Sequence, residues 1–262
     1  MALRPRPPDW SLGWMGALGS LAGLELLTRT DLLPSRHFPP PSETLSTLAG
    51  EVHRASLWSD VASTLEGWVI GLALALVIAV PLGIALGSSA LLYRAVRFPI
   101  EFLRPIPSVA LLPVLVLVYG SGLESKVVLV FFASVWPLLI QTIYGIQDAD
   151  PVATDTARAF RLGRGQRLLR VTLPSAVPYI ATGLRISSSV ALILAVTAEL
   201  VIGSEGLGHA IGLAGDAGDV RLMYALILVT GVLGWALNGA FTRVERRVLH
   251  WHVSMRPVEA GG

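Results

Sequence analysis

The sequence predicts an all-α integral membrane protein with six transmembrane helices, and three observations carry that prediction. The first is composition: of 262 residues, 53% are hydrophobic and 15% charged, against roughly 25% charged in a soluble globular domain. The second is a series of long uncharged runs. Glu66 and Arg94 enclose 27 residues without charge, Arg104 and Glu124 enclose 19, Lys126 and Asp148 enclose 21, and Arg221 and Arg243 enclose 21. About 20 suffice to cross a bilayer. The third is the placement of the basic residues, which alternates between the segments that join these runs.

Taken in order, Met1 to Asp9 is short and carries Arg4 and Arg6. An apolar run from about Trp10 to Leu27 follows, interrupted by Glu25, with no small-x-small cleavage site behind it, and reads as a first span. Residues 29–60 are polar, with Pro39-Pro40-Pro41, a candidate N-cap at Ser42 and Glu43 in the first turn, and predict a short amphipathic surface helix. The run Val177 to Gly203 holds Arg185 and Glu199. The six spans then lie near 11–27, 61–88, 103–120, 125–146, 177–203 and 221–243.

Orientation follows from the arginines. With the N-terminus inside, 14 basic residues fall in inside segments: Arg4, Arg6, Arg94, Arg97, Arg104, five between 148 and 174, and Arg243, Arg246, Arg247 and Arg256. Only Arg29, Arg36, Arg54, Lys126 and Arg221 fall outside. The positive-inside bias therefore puts both termini in the cytoplasm of a bacterial inner-membrane protein. Residues 1–9 form a cytoplasmic N-terminus, 10–245 a single transmembrane domain, and 246–262 a cytoplasmic tail.

Several chemistries are excluded. There is no cysteine, hence no disulfide or thiolate. Nineteen of the 20 basic residues are arginine, and the single lysine, Lys126, follows Ser125 and fits no phosphate-binding loop. The histidines at 37, 53, 209, 250 and 252 show no i, i+4 pair, and no metal site is expected. No hydrolase element such as Gly-x-Ser-x-Gly occurs, and no catalytic residue is assigned.

The one long polar segment between apolar ones is Asp148 to Pro174, with arginines at 158, 161, 164, 167 and 170. A step of three falls about 60° short of a helical turn each time, so these arginines make no single stripe. Ala153, Ala157 and Phe160, at i, i+4, i+7, share one face. Gly163 and Gly165 weaken helix continuity. A short helix with an apolar docking face, a glycine break and a second basic helix are expected.

The intramembrane charges have two readings. Glu199 lies 14 residues after Arg185, about 21 Å along a helix, so the two cannot pair within it. Glu199 either stands near the outer mouth of a translocation path or is a buried, hydrogen-bonded structural carboxylate. Arg185 anchors by snorkelling or helix-to-helix contact. Ser187, Ser188 and Ser189 either line a pore or permit close packing.

Here the residues carry a resemblance. Asp155-Thr156-Ala157, with Leu173-Pro174 after fifteen intervening positions and Val171 two before the leucine, resembles the EAA loop of the membrane subunits of binding-protein-dependent ABC importers. The run Arg104-Pro105-Ile106-Pro107-Ser108-Val109-Ala110-Leu111-Leu112-Pro113, then Gly120-Ser121-Gly122-Leu123-Glu124-Ser125-Lys126, resembles the nitrate/sulfonate/taurine branch, as do Ala198-Glu199 and Gly206-Leu207-Gly208. The likeness covers roughly residues 60 to 250. It departs from the family at Asp155, where Glu is usual, at Arg161, where Gly is usual, and at Val118-Tyr119, where Trp-Phe is usual. The arginine moves the expected bend to Gly163 and Gly165.

The resemblance implies a type I ABC importer permease. Two copies would form the path for a small anion such as a sulfonate, nitrate or taurine. Two ATPase subunits, which bind ATP and magnesium so that this chain holds no cofactor, would dock on Ala153, Asp155, Thr156, Ala157, Phe160, Arg161, Gly163, Leu173 and Pro174. A binding protein outside would deliver substrate, and Glu199, Ser187, Ser188, Gly206 and Gly208 would border the path. Nucleic acid is no partner. A secondary transporter, a membrane enzyme and an assembly subunit remain as alternatives: the first lacks matched broken spans, the second a convergent catalytic set, the third a reason for the polar loop.

Overall fold

In the computed structural model of the chain, residues 9–249 are described apart from 31 and 35. The tail beyond 249 and residues 1–8, with Arg4, Arg6, His250, His252 and Arg256, lie outside the described residues. The described chain is helical throughout: α1 (Asp9–Arg29), α2 (Pro41–Glu51), α3 (Ala55–Ser88), α4 (Ala90–Leu103), α5 (Leu112–Tyr119), α6 (Leu123–Gln147), α7 (Pro151–Ala159), α8 (Arg164–Arg167), α9 (Leu173–Ile202), α10 (Leu207–Asp216) and α11 (Val220–Val248). A π-helical turn, Leu168–Thr172, joins α8 to α9.

Among the described residues four helical stretches are long and apolar enough to cross a membrane, namely 55–88, 123–147, 164–202 and 220–248. A fifth is possible only as a broken pair, α4 with residues 108–119, bent by 82°. The expected six spans are therefore not all found, and 103–120 is not one straight helix. Pro105 and Pro107 remove two backbone donors and fix their φ angles, so the helix ends at Leu103 and resumes as a 3-10 turn at Ser108–Leu111. Arg104 thus sits at a break inside a span, not in a loop beside one.

The core is α6 sandwiched between α3 and α9. On α3 the positions Gly67, Gly71, Ala75, Ala79, Gly83 and Gly87 recur every four residues and bring the backbone onto α6. A Cβ at Gly71 would meet Val130 at 2.5 Å, and one at Gly83 would meet Thr142 at 2.6 Å. This is the small-residue stripe by which helices approach in a medium that supplies no hydrophobic drive. Ala75, Ala79, Val135, Leu138, Leu139 and Ile143 fill the centre. Trp68, Leu72, Val130, Ala191, Leu192 and Ala195 fill the next layer.

Polar ties fasten the outer helices. Arg185 pairs with Glu245 of α11 at 3.2 Å, the helix-to-helix anchoring foreseen for it. The Trp68 indole N–H donates to the Ser188 carbonyl at 2.9 Å. Ser42 does not cap α2, whose N-cap is Pro40; its hydroxyl and N–H donate instead to Glu25 of α1, at 2.7 and 3.0 Å.

Candidate coupling segment and the buried charge cluster

α3 and α6 run side by side in the same direction and α9 runs opposite to both, so two sets of residues gather at opposite ends of the bundle. At one end lies the polar segment. Asp150 caps α7 by accepting from the Val152 N–H at 2.8 Å, and Pro151 occupies the first turn. The helix stops after Ala159 in a paired closure: the Leu162 N–H donates to the Ala157 carbonyl at 3.0 Å and the Arg161 N–H to that of Arg158 at 2.8 Å. Such a closure puts its penultimate residue in the left-handed region, and that residue is Arg161, with φ of 57°.

Two expectations are corrected here. The bend stays at Arg161 and does not move to the glycines. Gly163, with φ of −62°, opens α8; its N–H donates to the Gln166 side chain at 3.3 Å and its carbonyl accepts from the Arg167 N–H at 3.0 Å. The shared apolar face expected for Ala153, Ala157 and Phe160 does not form either. Ala157 is buried, 6% exposed, because α7 lies down on α8 and the π turn with that side inward. Phe160, past the helix end, points the other way and is 77% exposed, as is Val152 at 73%. Ala153 is half-buried, while Asp155 and Thr156 are exposed, Asp155 pairing with Arg158 at 2.7 Å. Leu173 is half-buried and Pro174 exposed at the start of α9. Arg161, Arg164, Arg167 and Arg170 form no ion pair among the described residues. A cavity of about 1020 Å³ opens beside them, bounded by Ser88, Ser89, Asp155, Arg158, Arg164 and Arg167. Tyr179 of α9 donates to Asp148, which ties the segment to the bundle.

At the other end lies a closed cluster. Lys126 is 2% exposed and Glu199 fully buried. The Lys126 ammonium donates to Glu199 Oε1 at 2.9 Å and to the carbonyls of Ser63 at 2.9 Å and Glu205 at 3.1 Å. Glu199 Oε2 accepts from the Thr64 hydroxyl at 2.9 Å and the Gly208 N–H at 3.0 Å. Thr64 Oγ1 in turn accepts from the Leu207 N–H at 2.9 Å. All three ammonium donors and both carboxylate oxygens are used, which is what allows a charge pair to persist away from water.

The cluster dictates the glycines around it. Gly206 has φ of 142°, and a Cβ there would lie 2.3 Å from the Glu199 carboxyl. A Cβ at Gly208 would lie 2.1 Å from the Val196 carbonyl. Gly67 leaves room for the aliphatic stem of Lys126, which a Cβ would meet at 2.7 Å. The cluster therefore pins α10, with α3 and α6, against the end of α9. Glu199 and Ser187 present no surface to any path within this chain, and Ser188 is 3% exposed. Ser187 donates to the Ser134 carbonyl at 2.7 Å, a packing contact between α9 and α6.

Comparison with known proteins now decides the family. Residues 54–250 match the family described as binding-protein-dependent transport system inner membrane component. The chain belongs to that family. The permease is 31% identical to the taurine transport system permease protein TauC of Escherichia coli (strain K12) over 245 residues, covering 90% of this chain and 89% of that one. It is 30% identical to the nitrate import permease protein NrtB of Leptolyngbya laminosa over 193 residues, 74% of this chain and 69% of that one. With the putative aliphatic sulfonates transport permease protein SsuC of Bacillus subtilis (strain 168) it shares 28% over 271 residues, 97% and 93% of the two chains. Among solved structures, an inward-facing MetNI methionine ABC transporter superposes with a TM-score of 0.66 at 21% identity, covering 74% of this chain and 96% of that one. An amino acid ABC transporter crystallised with histidines superposes with a TM-score of 0.59 at 16% identity, covering 77% and 95%. The permease thus has the all-helical fold of ABC importer membrane subunits, and its place in the nitrate/sulfonate/taurine branch follows from the relatives.

Lys126, as the buried partner of Glu199, is the cluster residue that sequence reasoning missed in this permease. A signal existed: it is the lone lysine in an arginine-rich chain, set between two uncharged runs.

Proposed function

We propose that this permease subunit of an ABC importer carries a small oxyanion, such as a sulfonate or nitrate, inward after delivery by an extracytoplasmic binding protein. Two copies of the chain form the path, and two ATPase subunits dock on the polar segment 148–174. ATP and magnesium belong to those subunits, since this chain has no phosphate-binding loop. Both termini and the docking segment lie in the cytoplasm, on the strength of the arginine distribution.

The observation that carries the docking assignment is the pair of exposed apolar side chains, Val152 and Phe160, at the two ends of α7. They project from a helix whose opposite side is buried on α8 and the π turn, so a partner that grips them grips the start of α9. The drive is mechanical in this reading: when the ATPase dimer closes on its nucleotide, α7 is displaced, and α8, the π turn and α9 move with it. The substrate class is taken from the relatives, whose names include taurine, nitrate and aliphatic sulfonates.

Co-expression with candidate ATPase and binding-protein subunits from the same organism tests the assignment. The complex should co-purify, and single cysteines, free to place because none is native, should report the topology. Ser121→Cys and Gly215→Cys should react in intact cells, and Gly165→Cys only after permeabilisation. Reaction at 165 in intact cells would overturn both orientation and docking.

A further inference from the structure

We infer that the cavity at the break between α4 and α5 is a station for a small oxyanion part-way through the protein, held by the Arg104 guanidinium. The inference deepens the import reading and rests on it. The cavity measures about 370 Å³ and is walled by Arg104 and Ser108 from the break, Trp136 and Gln141 from α6, and Ile186 and Val190 from α9. That volume is at the small end of ligand sites, suited to a few heavy atoms.

Its depth separates it from both sites described above. Trp136 is ten residues from Lys126 and twelve from Asp148 along α6, about 15 and 18 Å. The cavity therefore stands midway between the closed cluster and the polar segment. Non-helical backbone at such depth persists only where it is covered by protein or faces water, and the 105–107 break borders this cavity.

The charge balance points to an anion. Arginine is ionised at every accessible pH. No carboxylate lines the cavity, and among the described residues the Arg104 guanidinium forms no hydrogen bond or ion pair; only its backbone N–H is engaged, by the Ile100 carbonyl. The acid three residues before it, Glu101, is engaged by Arg97 at 2.7 Å. An uncompensated arginine at membrane depth is costly and is kept where a ligand or water path repays it. Its planar fork matches two oxygens of a sulfonate, nitrate or carboxylate. The Ser108 hydroxyl and Gln141 amide stand in the same wall as further donors. The Trp136 indole N–H, in that wall too, is buried with no acceptor. Ile186 and Val190 offer an apolar side to an organic tail.

The test uses the full chain in native membranes with Gln141→Cys as the only thiol. Labelling rates are compared for anionic 2-sulfonatoethyl methanethiosulfonate and its cationic trimethylammonium analogue. Arg104 should favour the anionic reagent, and Arg104→Gln should lower the anion-to-cation rate ratio about tenfold, the loss of roughly 1.4 kcal/mol of attraction. Methanesulfonate, nitrate or taurine, at constant ionic strength against chloride, should slow the anionic reagent at least about twofold. If Arg104→Gln does not accumulate, Ser108→Glu, which sets a carboxylate beside Arg104, should give the same fall. A ratio indifferent to these changes, no reaction at 141, or no protection by any of the three anions overturns the station. None of these readouts requires an ATPase, so failed co-purification would sink the import reading separately.

Discussion

The two ends of the bundle are built on opposite terms. At the Lys126–Glu199 end every donor and acceptor of the charged pair is satisfied within the chain, and Gly67, Gly206 and Gly208 admit no larger residue. At the Asp148 end four arginines go without an ionic partner among the described residues, Phe160 and Val152 stand in solvent, and Gly163 and Gly165 have nothing within 4 Å of an added Cβ. One end is complete as a single chain. The other leaves four of its arginines and its two apolar side chains without partners among the described residues. Substitutions at the first should therefore be read as stability, and at the second as association.

The largest effect should come from splitting the buried pair. Lys126→Ala leaves a buried carboxylate without its counter-charge and should cost about 3–5 kcal/mol, seen as loss of folded protein in detergent thermal unfolding. Adding Glu199→Gln to Lys126→Met should recover about half, because a neutral amide can still accept from Thr64 and Gly208. Wild-type stability in Lys126→Ala would dissolve the contrast between the ends.

Next comes Gly206→Ala, which combines a left-handed φ with a collision against Glu199 and should cost about 3 kcal/mol. The same change at Gly163 should cost nothing measurable in the same unfolding assay. Equal behaviour of the two glycines would mean that the cluster yields more readily than its geometry implies.

A third substitution probes the open end. Phe160→Asp should leave thermal stability within about 0.5 kcal/mol of wild type while weakening ATPase association about tenfold or more, read by pull-down and by transport. Ala157→Arg should behave otherwise. A side chain that is 6% exposed has no room for a guanidinium, so this variant should lose stability before it loses its partner. Full ATPase retention by Phe160→Asp would remove α7 as the docking element.

The smallest effect is also a gain. Arg161 holds a left-handed conformation that costs a non-glycine residue about 1–2 kcal/mol. Arg161→Gly should raise stability by about 1 kcal/mol, offset in part by the greater freedom of glycine in the unfolded chain. A loss instead would mean that the arginine side chain makes a contribution its exposed position does not suggest.

What could be read in advance was what depends on local pattern. The uncharged runs placed α3, α6 and α11, and the apolar run Val177 to Gly203 placed α9 despite its two charges, because apolar length reveals a span. The polar segment and its division into two helices were visible for the same reason. Arg104 to Pro113 was recognised as a motif, yet counting uncharged residues could not see that Pro105 and Pro107 break the span that contains them. Arg161 was located as the residue in glycine's place. Its conformation was misjudged because the hydrogen bonds that close α7 outweigh the penalty on the side chain. The partner of Glu199 lies 73 residues away on another helix, a relation that no periodicity in one sequence encodes. Phe160 was grouped with Ala157 because i, i+4, i+7 spacing presumes a helix that runs on, and α7 ends one residue short.

The π turn at Leu168–Thr172 has a mechanical consequence. It lets α8 run into α9 without a gap, so residues 164–202 form one 39-residue stretch, about 58 Å long at helical rise. Its near end carries α7 and its far end carries Glu199, locked to α3, α6 and α10. Such a rod needs little motion at its foot: a tilt of about 5° shifts the far end by about 5 Å over that length. The wide ring closure of the π turn and Pro178, six residues past its end, are the two places along it where bending is cheapest. A force applied to Phe160 would thus reach the opposite face of the membrane through a single uninterrupted strut, with its elasticity concentrated at the driven end.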